Sequence, residues 1–155
     1  MDAALFEVLL HEEESNTLDF KRDQYRFVKA SLKDKAELLK DLLGFANALR
    51  RADAYILIGV EDVRGSRGNV VGISEHLDDH SLQQFIAYNT NRTLHFHYGA
   101  FTFEGKNVGI IRIDIAQDRP LSLVRDMGQL KKGEVYLRRG SCTDPTNRRR
   151  PTKSR

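Results

Sequence analysis

The spacing of apolar positions changes period several times along the chain. Ala3, Leu5, Phe6, Val8, Leu9 and Leu10 recur at helical offsets and run into His11-Glu12-Glu13-Glu14, which predicts a short amphipathic helix. Thr17-Leu18-Asp19-Phe20-Lys21 then alternates strictly. A two-residue period turns Leu18 and Phe20 to one side and Thr17, Asp19 and Lys21 to the other, as in a half-buried strand. Residues 24–32 are mixed and predict no element. Over residues 34–49, Leu38, Leu39, Leu42, Leu43, Phe45, Ala46 and Leu49 form one broad stripe, with Lys33, Lys35, Glu37 and Lys40 off it; this is the main helix.

Residues 54–60, Ala-Tyr-Ile-Leu-Ile-Gly-Val, form a near-continuous β-prone run, the mark of a strand covered on both faces and central in its sheet. A polar turn over 61–69 precedes Val70-Val71-Gly72-Ile73, consistent with a hairpin or a strand returning after a loop. Residues 80–88 read as a short helix. Residues 94–103 and 107–115 are two alternating runs around Glu104-Gly105-Lys106, an antiparallel hairpin. Pro120 punctuates, and a last strand over 134–138 runs into Arg139-Gly140-Ser141-Cys142-Thr143. No internal repeat or domain boundary interrupts this order. The expectation is a single compact α+β domain with a mostly antiparallel or mixed sheet and two or three packed helices.

Composition narrows the picture. The 155 residues, 40% of them hydrophobic, suffice for one core without staples. No apolar run nears the ~20 residues that span a bilayer, and residues 1–11 lack the basic start and small-residue cleavage site of a secretory signal. The single cysteine, Cys142, makes neither an internal disulfide nor a multi-thiolate zinc site. A reducing, cytoplasmic setting and no membrane association are the expectation. The net charge is +3, but residues 131–155 carry nine Lys/Arg against Glu134 and Asp144, so the rest of the chain is net acidic. Residues 148–155 hold no hydrophobic side chain and read as a basic, disordered tail or linker stub after a domain over 1–147.

Two sets of residues could carry chemistry. Glu14 and Asp19 precede and occupy the first strand, and Glu61 and Asp62 end the central one. Carboxylates gathered at strand ends can hold Mg²⁺ or Mn²⁺, which activates water and offsets phosphate charge. A spacing of five puts Glu14 and Asp19 on opposite faces of one regular strand, so they meet only if the chain turns at Ser15-Asn16. The competing reading makes Glu12, Glu13 and Glu14 a solvated charge run and pairs Asp19 with Lys21 or Lys29. The second set is Lys131, Lys132, Arg138, Arg139, Arg148, Arg149 and Arg150. These line a phosphate-binding edge if their strand borders the sheet, with Tyr136 available for stacking; otherwise they guard an ordinary edge strand against aggregation. His95-Phe96-His97 places two imidazoles on one side of a strand without a third ligand nearby, which favours a polar strand face over zinc. The glycine-rich stretch 59–68 lacks the Lys-Ser/Thr of a phosphate loop and is a turn. Cys142 has no neighbouring histidine to activate it.

Taken in order, Glu14-Ser15-x-x-Leu18-Asp19-Phe20-Lys21, Leu42-Leu43-Gly44-Phe45-Ala46-Asn47-Ala48, Tyr55-Ile56-Leu57-Ile58-Gly59-Val60-Glu61-Asp62 and Gly68-x-Val70-x-Gly72 resemble the Schlafen AlbA-like domain. Val135-Tyr136-Leu137-Arg138-Arg139-Gly140-Ser141 is similar to that family's last strand, so the resemblance covers residues 11–147. It implies a DNA-binding domain of the kind placed at the N-terminus of larger prokaryotic regulators or helicase-like ATPases. For the Schlafen branch it implies a metal-dependent endoribonuclease acting on structured RNA such as transfer RNA through a Glu, Glu, Asp cluster. By motif position those acids fall on Glu14, Asp19 and either Glu61 or Asp62. The chain departs from the pattern at Asp19, one methylene shorter than Glu, and at Ala48-Leu49-Arg50-Arg51-Ala52-Asp53, where the family usually has a Thr and a glycine pair.

The expectation is therefore a nucleic-acid-binding module, for DNA or RNA, that contacts phosphate through Lys21, Lys131, Lys132, Arg138 and Arg139, with Arg148 in the tail adding affinity. Binding requires no cofactor, and the module belongs to a larger regulator with a fused downstream domain, or to a homo-oligomer. The alternative is a nuclease in which Glu14, Asp19 and Glu61 or Asp62 hold Mg²⁺ or Mn²⁺.

Overall fold

A computed structural model describes residues 1–146. Helix α1 (Ala3–Leu10) starts where the Asp2 carboxylate accepts the Leu5 N–H, and α2 (Leu32–Asn47) starts where Ser31 Oγ accepts that of Asp34. Both caps satisfy donors that a helix leaves open in its first turn. The strands are β1 (Leu18–Lys21), β2 (Ala54–Ile58), β3 (Val60–Glu61), β4 (Asn69–Val70), β5 (Phe96–Phe103), β6 (Lys106–Ile113), β7 (Tyr136–Arg139) and β8 (Cys142–Pro145), with α3 (Asp79–Asn89) before β5. The main sheet has the order β1-β2-β6-β5. Its β1/β2 pair is parallel and the other two pairs are antiparallel. Strands β3-β4 and β7-β8 form separate hairpins. The expected α+β domain with a mixed sheet and three helices is what the chain forms.

Strand β2 is central, as its unbroken hydrophobicity predicts. Ile56 and Ile58 face a core shared with Leu38, Leu42 and Phe45 of α2 and Ile86 of α3. Leu57 faces the opposite core, with Phe6 and Leu10 of α1. The run to Val60 is nevertheless broken at Gly59, whose φ is +99°. Its N–H reaches the Lys21 carbonyl, and its own carbonyl accepts from Val71 and Gly72. A Cβ there would come within 3.1 Å of the Gly72 carbonyl carbon, so glycine alone fits both the torsion and the crossing.

The main helix ends two residues before the expected limit, and Leu49 is 82% exposed. Arg50 folds back instead. Its Nε donates to the Phe45 carbonyl and its terminal nitrogens to the carbonyls of Ala52, Ile113 and Asp114, which satisfies the helix end and ties it to β6. Asn47 performs the same service inside: Nδ2 donates to the carbonyls of Leu121 and Tyr136, and Oδ1 accepts the Leu121 N–H.

The last expected strand gains a partner the pattern did not show, β8. This hairpin lies against α2 rather than extending the main sheet, and Gly44 permits the approach. A Cβ at Gly44 would lie 2.6 Å from both Cγ2 and Oγ1 of Thr143. Among the described residues no helix is long and apolar enough to cross a membrane. The expected tail at 148–155 lies outside the described residues.

Candidate nucleic-acid interface and the acidic cleft

The segment before β1 makes the turn that its acids need in order to meet. The Ser15 N–H donates to the Leu18 carbonyl at 2.9 Å, and Ser15 Oγ accepts the Thr17 N–H at 3.1 Å. This local hydrogen bonding, typical of serine in turns, bends the chain back along β1. Glu14 then accepts the Phe20 N–H at 2.9 Å and comes within hydrogen-bonding reach of Asp19. Burial, and next the Asp19 carboxylate, raise the Glu14 pKa to about 7; the Phe20 N–H opposes this and the Asp62 charge adds to it.

Asp19 is buried, and its oxygens are engaged by cations. Oδ1 lies 3.3 Å from Arg138 Nη2, and Oδ2 lies 3.3 Å from Lys21 Nζ. Geometry makes the second contact an ion pair only, since Oδ2 has no hydrogen-bond partner among the described residues. Lys21 Nζ sits equally close to Asp41, 3.3 Å from its Oδ2. Burial works against the Lys21 charge, but Asp41 and Asp19 outweigh it and hold the ammonium above its ordinary pKa. Asp41 is raised by burial, against the pull of Lys21 and of the Tyr25 hydroxyl that donates to it.

The two acids at the end of the central run part company. Glu61 turns to Arg22 at 2.9 Å and to Asn69 at 2.8 Å, and these hydrogen bonds, that of Asn69 first, lower its pKa. Asp62 instead shares with Glu14 the wall of a cleft of about 570 Å³, closed by Arg64, Arg67 and Ser141. Of the two candidates left open by the sequence, Asp62 is the one that faces Glu14. Yet the donor set does not fit Mg²⁺ or Mn²⁺. Hard cations want several free oxygens, whereas Asp19 is committed to Arg138 and Lys21 and Glu61 to Arg22 and Asn69. Among the described residues no three His, Cys, Asp or Glu side chains gather as a metal site would require.

The basic set is divided as well. Arg138, expected on an exposed edge, is only 5% exposed. Its Nε donates to the carbonyls of Ser15 at 2.7 Å and Gly140 at 3.1 Å, and Nη2 donates to that of Leu18 at 3.2 Å as well as to Asp19. The guanidinium carbon stands 4.4 Å from the centre of the Phe45 ring. It is a tie between β7, β1 and α2, not a phosphate contact. A period of two puts Arg138 on the side of Tyr136, which is buried, so the alternation of β7 itself carried this signal. Tyr136 is likewise unavailable for stacking, and its hydroxyl accepts the Lys131 N–H at 2.9 Å. Lys21 is engaged by two carboxylates. Lys131, Lys132 and Arg139 are exposed, and no ion pair among the described residues involves them. Arg148 lies outside the described residues. Cys142 is exposed on β8, opposite Arg139.

The geometry of β1, the Gly44-Phe45 face of α2 and the β7-β8 hairpin unites the motif segments, and a family model for Schlafen, AlbA_2 matches residues 14–147. The chain belongs to the Schlafen, AlbA_2 family. Two solved structures share the AlbA_2 fold seen here. The DIP2311 protein of Corynebacterium diphtheriae superposes with a TM-score of 0.56 at 17% identity, covering 93% of this chain and 26% of that one. The N-terminal domain of a Nitrosomonas europaea protein described as related to the ATP-dependent DNA helicase RecG superposes with a TM-score of 0.55 at 19% identity, covering 98% of this chain and 94% of that one. This AlbA_2 chain thus spans about a quarter of the first structure's length. No curated protein matches it.

Proposed function

We propose that this AlbA_2 domain is a nucleic-acid-binding module that grips the phosphate backbone through Lys131, Lys132 and Arg139. One observation carries the reading: these three cations are exposed and free of ion pairs among the described residues, whereas half-buried Lys21 is held by two carboxylates and Arg138 is buried. Lys131 and Lys132 precede β7 and Arg139 ends it, so all three cations belong to the segment that enters and forms one strand of the β7-β8 hairpin. The sequence supplies five further Lys/Arg between 148 and 155. The family and the helicase-related structure support the same class of partner. Phosphate contacts carry no base information, so DNA and RNA are both substrates for this grip.

Binding of this kind needs no cofactor. In this reading the domain is one part of a larger regulator, in keeping with its likeness to an N-terminal domain and to a fraction of a longer chain. The test is a titration of labelled DNA and RNA at about 50 and 200 mM salt, with wild type and K131A/K132A/R139A. The expected result is a steep salt dependence whose log–log slope shrinks by about 2–3 on duplex DNA in the triple variant, close to 0.9 per lost contact. Affinity indifferent to salt overturns the proposal. Cleavage of structured RNA with Mn²⁺, abolished by Asp19→Ala, would instead move the assignment to the nuclease reading.

A further inference from the structure

Helix α1 covers only part of the sheet face on which it lies. Its eight residues extend ~12 Å, whereas the eight residues of β5 extend ~27 Å. Phe6 stands over Phe103 and Phe101, with ring centres 4.6 and 5.5 Å apart. Beyond Phe101 the face is open. There the register aligns Tyr55 of β2 with Arg112 of β6, and Arg112 with His97 of β5. One row across three strands therefore presents a phenol ring, a guanidinium and an imidazole on the same side as Leu57, Ile110 and Phe101. The three residues of the row, with Ile110, Phe101 and Gly99, line a hollow of about 280 Å³.

We propose that this uncovered half-face stacks an unpaired base of a single-stranded nucleic acid. The inference rests on the nucleic-acid reading above and deepens it by naming the form of the ligand. All three groups of the row have flat surfaces on which any base can stack, the guanidinium included. Gly99 puts no side chain into the hollow, so a ring can approach the strand. The volume falls below the ~300–1,000 Å³ of pockets that enclose whole cofactors, which suits a single ring system. Arg112 Nε donates to Asp114 Oδ1 at 3.2 Å, a contact that orients the guanidinium while its terminal nitrogens make no hydrogen bond among the described residues. They are placed to take the phosphate that accompanies the base. A duplex conceals its base faces and gains nothing here. Pairing of a protein strand with the outer edge of β5 is opposed, because Gln83 already donates to the Phe96 carbonyl and Asp79 accepts the Tyr98 N–H.

The experiment compares a labelled ten-nucleotide single strand with a duplex of the same length, using wild type, Tyr55→Leu, His97→Ala and Arg112→Gln. Tyr55→Leu keeps apolar bulk and removes the ring, His97 is exposed, and thermal melts confirm that each variant folds. Single-strand affinity is expected to fall about 5–100-fold in Tyr55→Leu and less in the other two, while duplex affinity stays within about twofold. Wild-type single-strand affinity in Tyr55→Leu and His97→Ala, or wild type binding the duplex alone, overturns the platform and leaves the phosphate grip standing. Loss of both ligands from wild type itself overturns both readings. A wild-type dimer that Tyr55→Leu or Arg112→Gln dissociates, with single-strand affinity unchanged, assigns the face to self-association and also overturns the platform.

Discussion

Replacing Arg138 by methionine tests the reading of that residue as an internal tie. The substitution retains much of the apolar stem but withdraws the donors to Ser15, Leu18 and Gly140, the partner of Asp19 Oδ1 and the cation over Phe45. Breaking a buried ion pair from one side costs about 3–5 kcal/mol, because the remaining charge is left uncompensated. Lys21 still stands 3.3 Å from Asp19, which places the expected loss near 3 kcal/mol, the lower end of that range. Against a total stability of about 5–15 kcal/mol this is large, and at about 2–4 °C per kcal/mol the melting point should fall by about 6–12 °C. Urea unfolding followed by far-UV circular dichroism measures it, provided the slope with denaturant is unchanged. Arg138→Met/Asp19→Asn should recover part of the loss, since no uncompensated charge remains. Arg138→Lys should not restore wild-type stability, because an ammonium cannot reproduce the planar fork. A loss under about 1 kcal/mol in Arg138→Met would refute the reasoning and show that the β7-β8 hairpin docks by apolar packing alone.

Glu14 should make stability depend on pH in the direction opposite to ordinary acid denaturation. Its pKa is about 7 in the folded chain against 4.5 for an unperturbed carboxyl, so between those values the folded state binds more protons and stability falls as pH rises. Glu14→Gln removes that decline; after allowance for its partial solvent exposure, the variant should exceed wild type by about 1 kcal/mol near pH 8 and by nothing below pH 4.5. A gain independent of pH in denaturant titrations would contradict this account. Gly44→Ala should cost about 1–3 kcal/mol through overpacking against Thr143, and Gly44→Ala/Thr143→Ala should recover most of it in thermal melts. Asn47→Ala leaves the carbonyls of Leu121 and Tyr136 and the Leu121 N–H without their partner, a loss of about 2–4 kcal/mol by the same assay.

Local patterns made much of the scaffold legible. The period of 3.6 marked α1 and α2, residues 80–88 read as a helix where α3 forms, and the Glu104-Gly105 loop, with both φ values positive at +51° and +77°, is the two-residue turn that twisted hairpins favour. The motif segments pointed to the family. Errors arose where a local pattern leaves two outcomes open. Leu49 continues the apolar stripe of α2, but Arg50 ends the helix through carbonyls as distant as those of Ile113 and Asp114, and no local window contains them. Arg138 illustrates a different failure. Its charge suggested solvent, while its alternation with Tyr136 pointed inward, and the buried ligand that made burial affordable, Asp19, lies 119 residues away.

The amino-acid order by itself determined most of the helices and strands, where the chain would have to turn for Glu14 to meet Asp19, and where positive charge concentrates, since all of these follow from neighbours within a few positions. Only the tertiary structure decided which charges remain free. It joined Lys21 to Asp19 and Asp41, Glu61 to Arg22 and Asn69, and Arg138 to β1, left Lys131, Lys132 and Arg139 without an ion pair among the described residues, and left the row of Tyr55, Arg112 and His97 uncovered. The physical reason is that a side chain's charge and shape are local properties, whereas its partners and its solvent depend on where distant backbone passes.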